Sequence, residues 1–511
     1  MKKIFLASAC YCGLLALVGS MLSSCSGESL EDTYAEYVEG GEVRYIGGVT
    51  DLEIRSGWHR LMINWTNSID PIIDQVKVVW ERDDVRDSVF LAPDVTEYNI
   101  TDLEDGNYSV SVQSVDGLGR TSFSSTVYGR PYTLDHETVQ GVTQVVSRAF
   151  FLHDRMILTF LGWESNIDKA YVTYTPKGEN RVDTLQLTKQ IVNALYYLKP
   201  GEIDVEKPVV LHRSGYIPGC EDYVEFSDVE LDKTRTFNGD FKREMKRQFG
   251  FGDDIPEAWA DTVTSLDFDW NISSFIDLFN LPSLKTINLG KHRYIIDEMI
   301  SDASGQAKQT ETLLSKFVLK TLYQIQGIKV YRYNKHFNEL GTATYIKSAG
   351  KPILPQLSYY DLAGNYIYFY DNMYDENWNN HNEYLTDGDV LTNWEPILLS
   401  STYQAQLGVD LGSPQNTIHG LKWVQPYYNT ANEQQRAKIV PNCQILTSID
   451  GVNWDYATYV EDYTLGASTG ETNLIYFKDG GIRARYVYLV FNTQIYSGYY
   501  YSAAIAELGL W

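Results

Sequence analysis

A repeated pattern of strand-like segments constrains the fold of this chain more than any other feature of its sequence. Four segments recur at a spacing of about 95 residues, which marks an internal repeat. The matching pairs are residues 60–65 with 155–160, 76–80 with 170–174, 87–89 with 183–185, and 103–106 with 198–201. Because the repeat is as long as one small β-sandwich, the sequence predicts two such domains in tandem.

The first copy of the repeat carries further signs of a sandwich. Residues 108–113 alternate in polarity, which is typical of a half-buried strand, and Asp116-Gly117 follows as a hairpin turn. Leu103-Glu-Asp-Gly106-Asn-Tyr108 resembles the turn and tyrosine that open a late strand of fibronectin-type domains. Both copies also resemble tandem N-terminal domains of unknown function in lipoproteins of Gram-negative polysaccharide-utilisation systems. We interpret them as immunoglobulin/fibronectin-type spacers.

The N-terminus has the pattern of an export signal. Lys2 and Lys3 precede an apolar stretch, residues 4–18, that is too short to span a bilayer stably, which predicts a signal peptide. Leu22-Ser-Ser-Cys25 resembles the lipobox of bacterial lipoproteins, and this resemblance implies that Cys25 is lipidated and becomes the mature N-terminus. The alternative is an ordinary secretory signal with a chance cysteine near its cleavage point.

The residues after Cys25 predict where the protein is anchored. Residues 25–45 are polar and acidic, with too little apolar surface to form a core, and predict a flexible tether. Ser26 stands where an inner-membrane retention signal would have aspartate, and Glu28, Glu31 and Asp32 resemble export signals for the outer face of the outer membrane. We therefore expect a lipid-anchored outer-membrane protein that faces the cell exterior.

Charge and cysteine content exclude several classes of function. The net charge of −25 becomes −27 when Lys2 and Lys3 leave with the signal peptide, which repels phosphate backbones, so we expect no nucleic-acid partner. Apart from Cys25 and the signal peptide, only Cys220 and Cys443 remain, in different predicted domains. No disulfide framework or cysteine-based metal site is expected.

Residues 234–352 show a mixed α/β pattern. Residues 241–249 and 310–324 have helical apolar spacing, and residues 328–333 have the pattern of a strand. Between them, Val263-x-x-Leu266-x-Phe268 and Leu284-x-x-Ile287-x-Leu289 recur about 21 residues apart and resemble one or two turns of a leucine-rich repeat. Because two turns rarely fold alone, we predict a small α/β adaptor packed on its neighbours.

The last third of the chain contains an ordered set of short motifs. These are LTDGDVLTNW (385–394), LGVDLG (407–412), IHGLKW (418–423), TSIDGVNW (447–454), ARYVYL (484–489) and the terminal AIAEL (504–508). Together they resemble the coagulation factor type C, or discoidin-like, domain, which has the galactose-binding-like jelly-roll fold. The resemblance implies a β-sandwich over residues 353–511 and places Trp394, Trp454 and Tyr486 in its core.

The same resemblance implies a structural calcium ion. In many discoidin-like domains calcium ties the opening turn to the last strand, and the matching positions here are Asp387, Asp389, Thr392 and Glu507. Oxygen ligands of this kind suit a hard cation. The alternative is that the two aspartates cap a turn and that Glu507 is solvated.

Three loops of this domain supply candidate carbohydrate-binding residues. They are Trp378 and Asn379 in the first, Tyr427, Tyr428 and Asn429 in the second, and Tyr496, Tyr499 and Tyr500 in the third. Indoles and phenols offer a sugar ring a flat apolar face, and amides can bind its hydroxyls. Tyr427 stands where galactose-binding relatives often have arginine, which argues against a galactose-like specificity. Alternatively, these tyrosines stack on one another and cover the sandwich end.

Catalytic motifs are scarce. Gly466-Ala-Ser468-Thr-Gly470 matches the nucleophile-elbow pattern but falls in a loop of the predicted sandwich, so we interpret it as a turn. The histidines form no His-Glu-x-x-His motif, and the adjacent carboxylates of Asp375 and Glu376 would diverge in an extended segment. We therefore predict no enzymatic activity.

The sequence as a whole predicts a mainly β, multidomain surface lipoprotein that captures oligo- or polysaccharide for an outer-membrane importer complex. The alternatives are a surface adhesin or scaffold that binds a protein partner, and a glycoside hydrolase or accessory protein with an unrecognised site in residues 234–352. The predicted order is signal peptide, tether, two sandwiches, adaptor and discoidin-like domain, at residues 1–24, 25–45, 46–133, 134–233, 234–352 and 353–511.

Overall fold

The computed structural model is mainly β, as the sequence predicted. It describes residues 45–142, 144–295, 305–349, 366–368, 381–395, 404–414, 417–428, 432–492, 494–496 and 500–511. The chain divides into two compact units: unit 1 comprises residues 1–143 and 215–226, and unit 2 comprises residues 144–214 and 227–511. No described helix is long and apolar enough to cross a membrane.

The first copy of the repeat forms a sandwich of two antiparallel sheets. Its strands are β1 (Thr50–Gly57), β2 (Arg60–Thr66), β3 (Ile73–Arg82), β4 (Val85–Leu91), β5 (Glu97–Ile100), β6 (Tyr108–Asp116) and β7 (Ser125–Gly129). One sheet has the order β1-β2-β5 and the other the order β4-β3-β6-β7. Alternate side chains of each sheet, such as Leu61, Ile63, Val78 and Val110, are buried between them.

The second copy repeats this topology strand for strand. Its elements are α1 (Glu137–Val142), β8 (Val146–Leu152), β9 (Arg155–Phe160), β10 (Ile167–Tyr174), β11 (Asp183–Gln186), α2 (Lys189–Asn193), β12 (Tyr196–Leu198), β13 (Val210–Tyr216) and β14 (Tyr223–Glu230). The sheets have the orders β12-β9-β8 and β11-β10-β13-β14, so every strand corresponds to the one seven places earlier. The predicted repeat is confirmed, because residues 60–65 and 155–160 lie in equivalent strands.

The predicted adaptor contains a parallel sheet in the order β15-β16-β18-β19. Its elements are α3 (Gly239–Phe249), α4 (Glu257–Thr262), β15 (Ser265–Phe268), a 3-10 turn (Ile276–Asn280), β16 (Thr286–Leu289), β17 (Arg293–Ile295), α5 (Thr312–Gln326), β18 (Lys329–Tyr333), a 3-10 turn (Asn338–Leu340) and β19 (Ile346–Ala349). Leu266 pairs with Ile287 and Phe268 with Leu289, which is the predicted 21-residue register. Two further parallel strands, β18 and β19, extend the leucine-rich-repeat-like sheet beyond the two predicted turns.

This parallel sheet shares its apolar core with the second sandwich, within unit 2. Phe150 of β8 packs against Phe279 with ring centroids 5.2 Å apart, and Tyr196 of β12 stacks on Phe317 of α5 at 5.4 Å. Phe150, Leu152 and residues of the parallel sheet belong to one buried cluster. The expectation that the adaptor packs on a neighbour is confirmed.

The C-terminal domain is a second kind of β-sandwich. Its elements are β20 (Tyr366–Tyr368), a 3-10 turn (Asn382–Leu385), β21 (Gln404–Asp410), β22 (Thr417–Ile418), β23 (Gly420–Val424), α6 (Glu433–Arg436), β24 (Asn442–Ser448), β25 (Asp455–Tyr456), β26 (Tyr463–Thr464), β27 (Glu471–Tyr476), a 3-10 turn (Lys478–Gly480), β28 (Ile482–Arg483), β29 (Tyr486–Asn492), β30 (Gln494–Tyr496), β31 (Tyr500–Ser502) and β32 (Glu507–Leu510). One sheet has the order β20-β21-β29-β24-β25, with β26 also paired to β24, and the other has the order β17-β27-β23-β32.

The first strand of the second sheet comes from the predicted adaptor. β17 pairs antiparallel with β27, and Arg293, Tyr294 and Ile295 lie opposite Asn473, Thr472 and Glu471. The sequence did not predict this pairing. Because β17 lies between β16 and β18 in sequence but completes the edge of the sandwich, the two parts are joined by backbone hydrogen bonds and not only by a linker.

Most motif residues of the C-terminal domain serve its core and turns. Trp394 is fully buried, and its backbone pairs with that of Ile505. Arg485 binds Asp410 through two hydrogen bonds of 2.7 and 2.8 Å. The core prediction is wrong for Trp454, whose side chain is exposed and packs near Tyr488 at 5.3 Å, and for Tyr486, which is only half-buried beside Trp454. Trp454 follows the hairpin turn that leads into β25, which directs its ring outward.

Candidate functional site

The predicted calcium turn and the last strand of the C-terminal domain are in direct contact. The backbone N–H of Gly388 donates to Glu507 Oε1 at 2.8 Å, which links the turn to β32. Thr392 Oγ1 donates to Asp387 Oδ2 at 2.9 Å. Three of the four predicted ligands, Asp387, Thr392 and Glu507, are therefore brought together.

The fourth predicted ligand, Asp389, is engaged in the turn itself. Its Oδ1 accepts a hydrogen bond from the N–H of Leu391 at 3.0 Å, and its N–H donates to Asp387 Oδ1 at 2.8 Å. Among the described residues, no group of three or more His, Cys, Asp or Glu side chains is positioned to hold a metal ion. Asp389 therefore caps the turn, whereas Glu507 is buried and not solvated as the alternative expected.

Two acidic side chains share this small space. Burial, together with a hydrogen bond to Asp387, raises the pKa of Glu507 to about 7. Burial would raise the pKa of Asp387 as well, but hydrogen bonds from Asp389 N–H, Thr392 and Glu507 outweigh it and lower the pKa of that carboxyl. Near neutral pH Asp387 is therefore a carboxylate, and the adjacent Glu507 still holds its proton in part. A cation bound between them would stabilise the charged form of both side chains. Asp387, Thr392 and Glu507 supply oxygen atoms of the kind that calcium binds, and calcium binding remains a prediction.

We expect calcium to raise the melting temperature of the mature chain. A ligand held at about a hundred times its Kd and bound only to the folded state adds about 2.7 kcal/mol. Because the metal must displace the proton that Glu507 holds below about pH 7, the shift should be larger at pH 8 than at pH 6. Scanning calorimetry with calcium or with chelator measures both effects.

A matched pair of variants separates this effect from general charge effects. Glu507→Gln should abolish the calcium response, whereas Glu461→Gln, at an exposed position, should leave it unchanged. Identical melting of the unmodified chain in calcium and in chelator at both pH values would rule out the site.

Tyr428 of the predicted carbohydrate site is part of a structural network. Its hydroxyl donates to Glu395 Oε2 at 3.2 Å, and Glu395 also forms an ion pair with Lys438. Burial and the nearby Glu395 carboxylate raise the pKa of Tyr428. The backbone N–H of Tyr428 donates to Thr469 Oγ1 at 2.6 Å, and the adjacent Tyr427 is half-buried.

Of the remaining candidate carbohydrate-binding residues, only Tyr496 and Tyr500 lie among the described residues. Tyr496 and Tyr500 are directly paired across the β30–β31 hairpin, so the third predicted loop is in part a two-stranded ladder. Trp378, Asn379, Asn429 and Tyr499 lie outside the described residues, as does Cys25. The roles of all eight candidates in sugar binding remain predictions.

The Gly-x-Ser-x-Gly segment is a turn, as predicted. Ser468 lies between β26 and β27, and no helix follows it. Its Oγ is buried and has no hydrogen-bond partner within the described chain. The carboxylate of Glu471 accepts a hydrogen bond from the N–H of Ser468 at 2.9 Å, which closes the turn.

A cavity of about 400 Å³ lies between the parallel sheet and the C-terminal sandwich, and sequence reasoning missed it. Its walls include Asp267 of β15, Lys291, His292 and Tyr476 of β27. The only sequence signal was the polar residue between the two buried positions Leu266 and Phe268, and such residues are common on any half-exposed strand.

One family model matches the N-terminal part of the chain. A family model described as a domain of unknown function, DUF4998, matches residues 25–205. This match spans the predicted tether, the first sandwich and part of the second. None of the curated proteins matches the chain.

Several solved structures are similar to parts of the chain. A CBM32 domain of a family 31 glycoside hydrolase from Clostridium perfringens is 20% identical, with a TM-score of 0.23, over 30% of this chain and 94% of that chain. The F5/8 type C domain of a Bacteroides fragilis protein is 13% identical, with a TM-score of 0.23, over 30% and 94%. A two-domain fibronectin type III segment of chicken tenascin is 13% identical, with a TM-score of 0.18, over 37% and 100%. These neighbours include the domain types that the motifs indicated, and at such scores they carry no conclusion about a ligand.

Proposed function

We propose that the chain is a non-catalytic, lipid-anchored glycan-binding protein of the bacterial cell surface. The observation that carries this proposal is the C-terminal two-sheet sandwich, in which the ordered motif segments occupy the expected strands and turns. Their polar residues are used for structure, as the Arg485–Asp410 pair shows. We propose that the loop aromatics at residues 427–428 and 496–500 contact the ligand.

The rest of the chain supports this role. The two sandwiches of the same topology, preceded by an acidic tether, would hold the C-terminal domain away from the membrane. Oligo- or polysaccharide captured there would be delivered to an outer-membrane importer complex. The net charge of −25 favours an uncharged ligand over an anionic one.

A glycan array tests the proposal. The protein for this test is the soluble mature chain from Ser26 to the C-terminus, because β17 completes the C-terminal sandwich and a shorter fragment would lack that strand. We expect binding to at least one neutral glycan. A silent array, together with recovery of a protein partner in pull-downs, would instead favour the adhesin or scaffold alternative.

Aromatic truncations locate the site. Trp378→Ala and Tyr500→Ala should each weaken binding by about 1–3 kcal/mol, by analogy with bases stacked on aromatic side chains, without lowering the melting temperature. Tyr428→Ala should also lower the melting temperature, because it removes the hydroxyl that donates to Glu395, so Tyr428→Phe, which loses the same hydrogen bond but keeps the ring, is measured beside it to separate stacking from stability. Tyr128→Ala, at an exposed position in β7, is the control. Normal binding in all the loop variants would place the site elsewhere.

A further inference from the structure

The cavity between the parallel sheet and the C-terminal sandwich lies within unit 2 and is built from both parts of the chain. One wall consists of the C-terminal end of α3, the start of β15 and residues 291–292, and the other consists of residues 459–463 and the end of β27. Its volume of about 400 Å³ is within the range of small-ligand sites.

The strand pairing of β17 fixes the two walls relative to each other. The carbonyl of His292 accepts a hydrogen bond from the N–H of Leu474 at 2.8 Å, immediately before Arg293 begins its pairing with Asn473. Lys291 and His292 are therefore held beside the end of β27, where Tyr476 lies. Gly250, at the end of α3, has φ +72°, and a Cβ there would meet the Tyr459 ring at 2.4 Å. The walls thus touch directly at this point.

A buried network makes the polar wall rigid. Asp269 is almost fully buried and accepts hydrogen bonds from the backbone N–H of His292 at 3.0 Å and from its Nδ1 at 2.8 Å. Burial alone would raise the pKa of Asp269, but His292 and Arg247 outweigh it and hold that pKa well below its usual range. Arg247 is also bonded to Glu244 and to the hydroxyl of Tyr463. The Asp269 contact directs His292 Nε2 away from the network.

Three polar groups at the cavity retain hydrogen-bonding capacity. Asp267 Oδ1 accepts from Asn288 at 2.6 Å, whereas Oδ2 has only long contacts, 3.4 Å to Lys291 Nζ and 3.6 Å to His292 Nε2. Both distances exceed those of strong hydrogen bonds. One acceptor and two nitrogen groups therefore surround a space that a ligand hydroxyl could enter.

An aromatic surface lies next to these groups. Tyr476 is 43% exposed, although it sits in a strand of a packed sandwich. Its ring contacts His292 edge-on at 5.0 Å and Trp511 at 5.4 Å, and these contacts hold it in place. A fixed, exposed phenol beside polar groups that can form further hydrogen bonds is the combination that a sugar ring requires.

We propose that this cavity binds a neutral pyranose unit, as a second saccharide site separate from the loop end of the sandwich. The sugar ring stacks on Tyr476, Asp267 accepts from one of its hydroxyls, and Lys291 donates to a neighbouring one. Because each cation here faces a carboxylate, Lys291 with Asp267 and Arg247 with Glu244, the cavity offers no excess charge to an acidic or sulfated sugar. The inference rests on the proposed glycan-binding function and names a further site for it.

Binding of defined sugars by the soluble mature chain tests the second site. The probes are maltose, cellobiose, lactose and mannobiose at millimolar concentration, with affinities measured by NMR titration. At least one of them should bind, and Tyr476→Ala should reduce that affinity about tenfold or more. Asp267→Asn should reduce it as well. Tyr323→Ala, at a tyrosine that is 44% exposed on α5, is the matched control and should have no effect.

A second design does not depend on removing the tyrosine. Ser265 lines the cavity from an exposed position at the start of β15, so Ser265→Phe should fill it and block binding while the melting temperature stays unchanged. If Tyr476→Ala lowers the melting temperature, Ser265→Phe decides the question.

The outcomes distinguish this site from the proposed function. The second site is overturned if Trp378→Ala abolishes binding while the three cavity variants, Tyr476→Ala, Asp267→Asn and Ser265→Phe, still bind. The glycan-binding function would then remain intact. Binding lost in the cavity variants and kept in Trp378→Ala would establish the second site. Failure of all four sugars to bind would overturn the second site, whereas the proposed function fails only if the glycan array is silent as well.

Discussion

Replacement of Arg293 by methionine should lower the free energy of unfolding of unit 2 by about 3–5 kcal/mol, the cost of leaving one buried charge without its partner. The guanidinium donates to Glu471 Oε1 at 2.8 Å and to the carbonyl of Asp269 at 2.9 Å, and it lies 4.1 Å from the centre of the Trp270 ring. Both Arg293 and Glu471 are almost fully buried. Methionine preserves much of the apolar volume, so the loss reports the charge and its hydrogen bonds.

The loss should shrink as the pH falls. Burial raises the pKa of Glu471, and Arg293 opposes that rise. The variant lacks the Arg293 charge that lowers this pKa, so the pKa of Glu471 in the folded state lies further above its value in the unfolded chain. The folded variant then holds a proton that the unfolded chain releases, and its stability is greatest at low pH and is lost as the pH rises through that window.

Denaturant titration of the mature chain at several pH values measures both effects. The control is Lys478→Met, which removes a pair with the exposed Asp455 and should cost less than about 1 kcal/mol. The double variant Arg293→Met, Glu471→Leu should recover part of the loss, because no charge is then buried alone. A single variant that loses no more stability than Lys478→Met would contradict the assigned role of Arg293.

Cys25→Ala should remove the protein from the membrane fraction completely. The predicted lipid attachment at this cysteine would supply the acyl chains, and each buried methylene contributes about 0.8 kcal/mol to membrane binding. The acidic mature chain offers no compensating attraction to anionic headgroups. Cell fractionation followed by immunoblotting measures the change.

Two comparisons sharpen the localisation test. Cys12→Ala changes a cysteine of the signal peptide outside the lipobox and should leave the protein with the membranes. Protease added to intact cells should digest the unmodified protein if it faces outward, as the residues after Cys25 predict. A Cys25→Ala protein that remains with the membranes would refute the anchor.

The elements that local patterns specify were predictable from the sequence. The sequence shows the spacing of the side chains that must be buried. This spacing predicted the repeat of residues 60–65 in 155–160 and the 21-residue register of Leu266 with Ile287. The turn at Asp450-Gly451 within the TSIDGVNW motif is also local, because Asp450 caps it by accepting from the N–H groups of Val452 and Asn453 at 2.8 Å. Such features need no information from distant residues.

Contacts between distant segments were decided only by the tertiary structure. Arg293 and Glu471 are far apart in sequence, and nothing near either residue indicates that β17 joins β27 or that the two side chains form a buried pair. The outward position of Trp454 is of the same kind, because the motif does not show to which side the turn before β25 directs the ring. The sequence by itself determined the repeated sandwiches, the parallel sheet and the motif-bearing strands, since these follow from local periodicity. The cavity at Tyr476 and Asp267 depends on the pairing of β17 with β27, which brings residues 291–292 beside the end of β27, and that pairing is a property of the folded chain.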